Sequence, residues 1–121
     1  LTLQQPKPDD FIFATGQQNT VRDFVVEASN LCGFDLQWRG SGKDEVGIDK
    51  KSGRVLIEID PLYYRPTEVD ALIGNPRKAK EKLNWHAKTF FKELVYLMVK
   101  SDWQKCGLDP NEFLNPYKLP N

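Results

Sequence analysis

Apolar residues recur at helical spacing through Val21, Phe24, Val25, Ala28, Leu31 and Cys32, which predicts a helix with one buried face. Thr20 precedes it as an N-cap, with Asp23 three residues on as a capping-box partner, and Gly33 ends it. Shorter patterns flank this helix. Phe11-Ile12-Phe13-Ala14-Thr15, closed by Gly16, has the length and composition of a buried strand. Phe34, Leu36 and Trp38 alternate with polar neighbours and predict a second strand over 35–39. Val55, Ile57 and Ile59 alternate with charged residues and predict a third over 54–60, stopped by Pro61. The stretch 39–53 is rich in Gly, Lys and Asp and predicts a long surface loop.

Further along, Gly74-Asn75-Pro76 marks a helix start, with Asn75 as N-cap and Pro76 in the first helical position. A short basic helix over 77–83 follows, its Lys78, Lys80 and Lys82 spread around the surface as solvated charges, and Trp85 closes it as a core plug. Thr89 caps a last helix with an apolar stripe of Phe91, Leu94, Val95, Met98 and Val99. From Gly107 onward the chain has three prolines and little periodicity, as in a tail laid over the surface or disordered. The expected fold is α/β, with about three short strands and three helices.

Composition narrows the class. At 121 residues the chain suits one small domain with a core. Lys plus Arg and Asp plus Glu number 17 each, so no basic excess points to nucleic acid or an anionic membrane surface. No apolar run reaches the length of a membrane span, and Leu1 opens no signal-peptide pattern. Two cysteines are too few for a disulfide scaffold or a zinc site, which makes a reducing, cytoplasmic setting the expectation. Cys32 falls on the apolar helix face and Cys106 near the tail as a free thiol. Leu1-Thr2-Leu3-Gln4-Gln5 lacks an initiator Met and reads like the last turn of a helix stopped by Pro6, so the chain is expected to be a piece of something longer.

Most catalytic patterns are missing. No glycine fingerprint for a dinucleotide follows a strand, and Gly40-Ser41-Gly42-Lys43 lacks the frame and the following Ser or Thr of a phosphate loop. His86 is the only histidine, and Ser29, Ser41, Ser52 and Ser101 lie in no nucleophile-elbow context. Tyr96 and Lys100 match a Tyr-x-x-x-Lys spacing and share a helix face. Two fixed positions are a chance match in a chain with four tyrosines and many lysines. One segment is more informative. In Tyr63-Tyr64-Arg65-Pro66-Thr67-Glu68-Val69-Asp70 a guanidinium and a carboxylate stand three residues apart around a proline, just past a strand. Arg65 can fork onto a phosphate, and Glu68 can accept from two neighbouring hydroxyls, the chemistry that a nucleotide-sugar needs. A surface Arg–Glu pair fits the same residues.

The chain resembles the C-terminal third of the GDP-mannose 4,6-dehydratase family of extended short-chain dehydrogenase/reductases. Ala14-Thr15-Gly16, Thr20–Val25, Asp60-Pro61, the run from Tyr64 to Asp70, Lys78–Trp85 and Phe91–Val95 carry the resemblance, which extends from about Leu1 to Trp103. The Lys-Ala-Lys…Leu-Asn-Trp stretch marks the wider superfamily, and the Tyr-Arg-Pro-Thr-Glu-Val-Asp run is the more specific part. The resemblance implies a substrate-binding lobe over 1–103 and a tail over 104–121. It implies that Arg65 reaches the pyrophosphate region of GDP-mannose and that Glu68 takes the ribose hydroxyls. NADP and the catalytic residues would belong to an N-terminal Rossmann domain, leaving no catalytic, cofactor-binding or metal residue in this chain, and Tyr96 and Lys100 a coincidence. The implied parent is a lyase, a homodimer or homotetramer, that converts GDP-mannose to GDP-4-dehydro-6-deoxy-D-mannose by oxidation, water elimination and reduction, on the route to GDP-fucose and GDP-rhamnose. The fragment alone would be inactive. The sequence departs from the family pattern at Asn84, where Gly is usual, and in the tail from Gln104 to Asn121. Two alternatives stay open: a fragment of another extended nucleotide-sugar epimerase, dehydratase or reductase, and a non-catalytic nucleotide-sugar or protein-binding module.

Overall fold

The computed structural model describes residues 1–65 and 72–112. Among the described residues three α-helices and one three-stranded antiparallel sheet make an α/β architecture, as the patterning predicts. The elements are α1 (Val21–Leu31), β1 (Leu36–Arg39), β2 (Val46–Asp49), β3 (Val55–Glu58), α2 (Arg77–Leu83) and α3 (Phe91–Lys105). The chain divides into two compact units, one from Leu1–Asn19 with Val69–Phe91, the other from Thr20–Glu68 with Lys92–Asn121.

In the second unit, α1 starts and stops on its own local signals. The Thr20 hydroxyl accepts from the Asp23 N–H at 3.0 Å, and the Asp23 carboxylate accepts from the Thr20 N–H at 2.8 Å, a complete capping box. At the other end Gly33 adopts φ 80°, its N–H donating to Asn30 and that of Phe34 to Ser29. These two bonds satisfy the last carbonyls of the helix in a Schellman arrangement. Leu31 on α1 and Val95 on α3 are buried. Val21, predicted on the apolar face, is 81% exposed. An open apolar groove of about 400 Å³ runs between α1, from Phe24, Ala28 and Cys32, and α3, from Met98, Val99 and Trp103.

The sheet has strand order β1-β2-β3, each pair antiparallel. Its middle strand lies inside the stretch predicted to be loop. The alternation that marks a strand is inverted here: Gly47 and Asp49 are buried, while Val46 and Ile48 are only partly covered. Gly47 is paired with Trp38 on one side and Ile57 on the other. A Cβ at Gly47 would lie 3.0 Å from Ile57 Cβ and 3.3 Å from the Trp38 ring, so the neighbours close over a position with no side chain. Asp49 is 3% exposed because its carboxylate is satisfied. It accepts from the Ser52 hydroxyl at 2.6 Å, the Ser52 N–H at 3.0 Å and the Asp35 N–H at 3.2 Å. These bonds, the Ser52 hydroxyl first, hold its pKa down at about 2.

In the first unit, residues 11–15 are not a strand, contrary to their composition. Among the described residues no neighbouring strand offers them a ladder. The segment instead lies against Gly74, where an added Cβ would come within 2.6 Å of Ala14 Cβ. Phe13 meets Trp85 edge-on, with centroids 4.8 Å apart. Helix α2 spans the predicted 77–83, but its N-cap is Pro76 rather than Asn75, whose side chain still accepts the Arg77 N–H at 3.0 Å. It ends at Asn84 in the left-handed conformation, φ 51°, the conformation that suits Asn where Gly is usual. Its lysines are not evenly solvated. Lys78 and Lys82, one turn apart, both bind the Asp9 carboxylate, and Lys78 also stands over the Phe11 ring at 5.4 Å. The two ammonium groups hold the Asp9 carboxyl well below the usual carboxylate range.

Thr20→Ala removes a side-chain cap and should lower stability by about 1 kcal/mol, read as a drop in the thermal midpoint. Asp49→Asn should destabilise most above pH 4. The folded pKa of Asp49 lies below its ordinary value of 3.8. Its contribution is therefore fully present above that value and is lost as pH falls toward about 2. The gap in thermal midpoint between the parent chain and Asp49→Asn should narrow across that window; a gap independent of pH would contradict the assignment.

Candidate functional site

β3 carries the chain to the candidate site. Beyond Glu58, Asp60 organises a tight turn: its carboxylate accepts the Leu62 N–H at 2.9 Å and its carbonyl the Tyr63 N–H at 3.1 Å. Pro61 presets the backbone angle that the second turn position requires. Leu62 and Tyr63 are exposed, Tyr64 less so, and Arg65 follows as an exposed cation. Among the described residues no carboxylate pairs with Arg65. Glu68, the second candidate residue, lies outside the described residues, as do Pro66 and Thr67.

A second loop meets this turn. The strand registers set Arg39, Val46 and Glu58 side by side at one end of the sheet. The β1–β2 connection over 40–45 and the chain leaving β3 therefore emerge together. The connection is tightly wound. Gly40 has φ 81°, and a side chain there would collide with the Asp44 carbonyl. The Asp44 N–H donates to Ser41 and the Glu45 N–H to Gly42, both at 3.3 Å. Glu45 is anchored by Arg22 at 2.6 Å, whose guanidinium lies 4.3 Å over the Trp38 ring. At the tip, Gly42 adopts φ 60°, and a Cβ there would stand 3.3 Å from the Tyr64 hydroxyl oxygen. Tyr64 thus packs directly against the loop that holds Lys43. Sequence reasoning missed this neighbourhood because it missed β2. Reading Val46 and Ile48 as a strand would have made 36–49 a hairpin and brought its loop to the exit of β3.

The remaining candidates behave as surface or packing residues. His86 is exposed on an open groove with Trp85 and Lys88. Among the described residues no cluster of three or more His, Cys, Asp and Glu could hold a metal ion. Lys100 stands over the Tyr96 ring at 5.9 Å, one turn along α3. Cys32 is partly buried, which pushes its thiol pKa up, and Cys106 is exposed. No helix among the described residues is long and apolar enough to cross a membrane.

The model of the GDP-mannose 4,6 dehydratase family matches residues 1–98. The chain is 50% identical over 102 residues to a GDP-mannose 4,6 dehydratase of Dictyostelium discoideum, covering 84% of the chain and 29% of that relative. It is 44% identical over 111 residues to the Homo sapiens protein of the same name, covering 92% and 30%. With a GDP-mannose 4,6-dehydratase of Yersinia enterocolitica the identity is 38% over 116 residues, covering 88% and 31%. The chain thus spans less than a third of the length of each of these curated relatives.

Proposed function

This chain belongs to the GDP-mannose 4,6 dehydratase family, and we propose that it forms the substrate-binding part of such a dehydratase. The observation that carries the proposal is the position of Arg65: exposed, immediately after a turn fixed by Asp60, and with no carboxylate partner among the described residues. A guanidinium presented in this way is free to fork onto a diphosphate. In the proposal Arg65 holds the pyrophosphate of GDP-mannose and Glu68 the ribose diol. Residues 1–103 act as the substrate lobe, and 104–121 are an appendage to it.

The chain's own residues do not fit a dinucleotide cofactor, because no glycine fingerprint follows a strand. NADP belongs to the proposal only as the cofactor of the whole enzyme, held outside this chain. The whole enzyme would be a cytoplasmic homo-oligomer of the extended short-chain dehydrogenase type. It would convert GDP-mannose to GDP-4-dehydro-6-deoxy-D-mannose and so feed GDP-fucose or GDP-rhamnose formation. This chain's share of the work is to bind and orient the nucleotide.

In the full-length protein that carries this chain, Arg65→Ala should raise KM for GDP-mannose at least tenfold while NADP affinity stays nearly constant. Charge-assisted bonds of roughly 1.5–3 kcal/mol each set that scale. Steady-state kinetics with both ligands varied provide the readout, and an unchanged KM would remove Arg65 from the site.

A further inference from the structure

We propose that Lys43 is a second cation for the same diphosphate, brought to it by the packing of Tyr64 on Gly42. The inference rests on the reading of Arg65 as a diphosphate ligand. The β1–β2 connection and the chain leaving β3 share one end of the sheet, and Tyr64 touches the connection at Gly42. Lys43 is the next residue after Gly42, and Arg65 the next after Tyr64, so each cation is one residue along the chain from this contact.

The connection is built to hold its place. Gly40 and Gly42 take positive φ, two backbone bonds close a 3-10 turn over Gly42–Asp44, and Arg22 locks Glu45 to the sheet. Of the other charges at this end, Arg39 donates to the Gln37 side chain at 3.4 Å, and Arg39 and Glu58 form no ion pair among the described residues. Arg22 is taken by Glu45 and Trp38, and the Asp60 carboxylate is used inside its own turn. Lys43, like Arg65, is exposed and has no ion-pair partner among the described residues. Asp44 is the adjacent carboxylate, but successive side chains in a 3-10 turn leave about 120° apart, which directs it away from the direction Lys43 takes. Two exposed cations without an ion-pair partner among the described residues, each next in sequence to a residue of the Tyr64–Gly42 contact, suit a doubly charged ligand with a planar group attached, as in a nucleoside diphosphate.

Calorimetric titration of the full-length protein with GDP and with guanosine tests the assignment, using Lys43→Ala, Lys43→Arg and Arg65→Ala. Lys43→Ala should weaken GDP binding about fivefold or more and leave guanosine binding unchanged. Lys43→Arg should restore most of the loss, and the effect should shrink as salt is raised. Melting curves confirm that the exposed substitutions leave the fold intact. Unchanged GDP affinity in Lys43→Ala beside a clear loss in Arg65→Ala would overturn the role of Lys43 and leave that of Arg65 standing. Unchanged affinity in both variants would overturn both readings. An equal loss for guanosine, or a loss at Lys43 without one at Arg65, would overturn the shared diphosphate site.

Discussion

The absence of a side chain at Gly47 is the constraint on which the sheet and the candidate site depend. Gly47 sits in the middle strand between Trp38 and Ile57, and a Cβ there would meet those two larger residues, Ile57 at 3.0 Å and Trp38 at 3.3 Å, closer than ordinary packing. The Trp38 ring in turn is the platform for Arg22, and Arg22 is the anchor for Glu45. One small residue thus connects the packing of three strands to the start of α1 and to the loop that bears Lys43. A Cβ there requires Ile57 and Trp38 to give by a few tenths of an ångström, in a sheet only four residues deep per strand.

Much of the helical structure was legible because its signals are local. A capping box needs only Thr20 and Asp23, a Schellman stop only Gly33 and its neighbours, and a left-handed stop only Asn84. The strands were harder because a strand is defined by its partners. Residues 11–15 have the right composition and no ladder among the described residues, whereas Val46–Asp49 look like loop and form the centre of the sheet. Their buried positions are filled by a glycine, which packing requires, and by an aspartate, which hydrogen bonds satisfy. Neither residue scores as core in a hydrophobic pattern. The one-turn spacing of Lys78 and Lys82 puts them on one helix face, but they read as solvated charges because the carboxylate they share lies about 70 positions away in sequence and no local rule points to it.

The candidate site shows the same division. Arg65 was legible as a candidate, since a guanidinium beside a proline at a strand exit is a local pattern. Its surroundings were not, because the loop that meets Tyr64 arrives through the pairing of β2 with both neighbours. The turn at Asp60 and the winding at Gly40 and Gly42 fix two short connections without a large core, which suits a region whose buried residues are few.

The discontinuity of the first unit bears on the order in which the chain can fold. The sheet of the second unit is a meander, built from strands that follow one another with short connections, and α1 starts and stops on neighbouring residues. These contacts form at small entropic cost. The first unit must instead join its opening residues to a helix near position 80. Asp9 finds Lys78 and Lys82 only after the intervening chain has been gathered in. The closure entropy of that long loop falls as the residues between become compact. The meander, with its glycine-centred sheet, is therefore the piece whose early formation shortens the search for the rest.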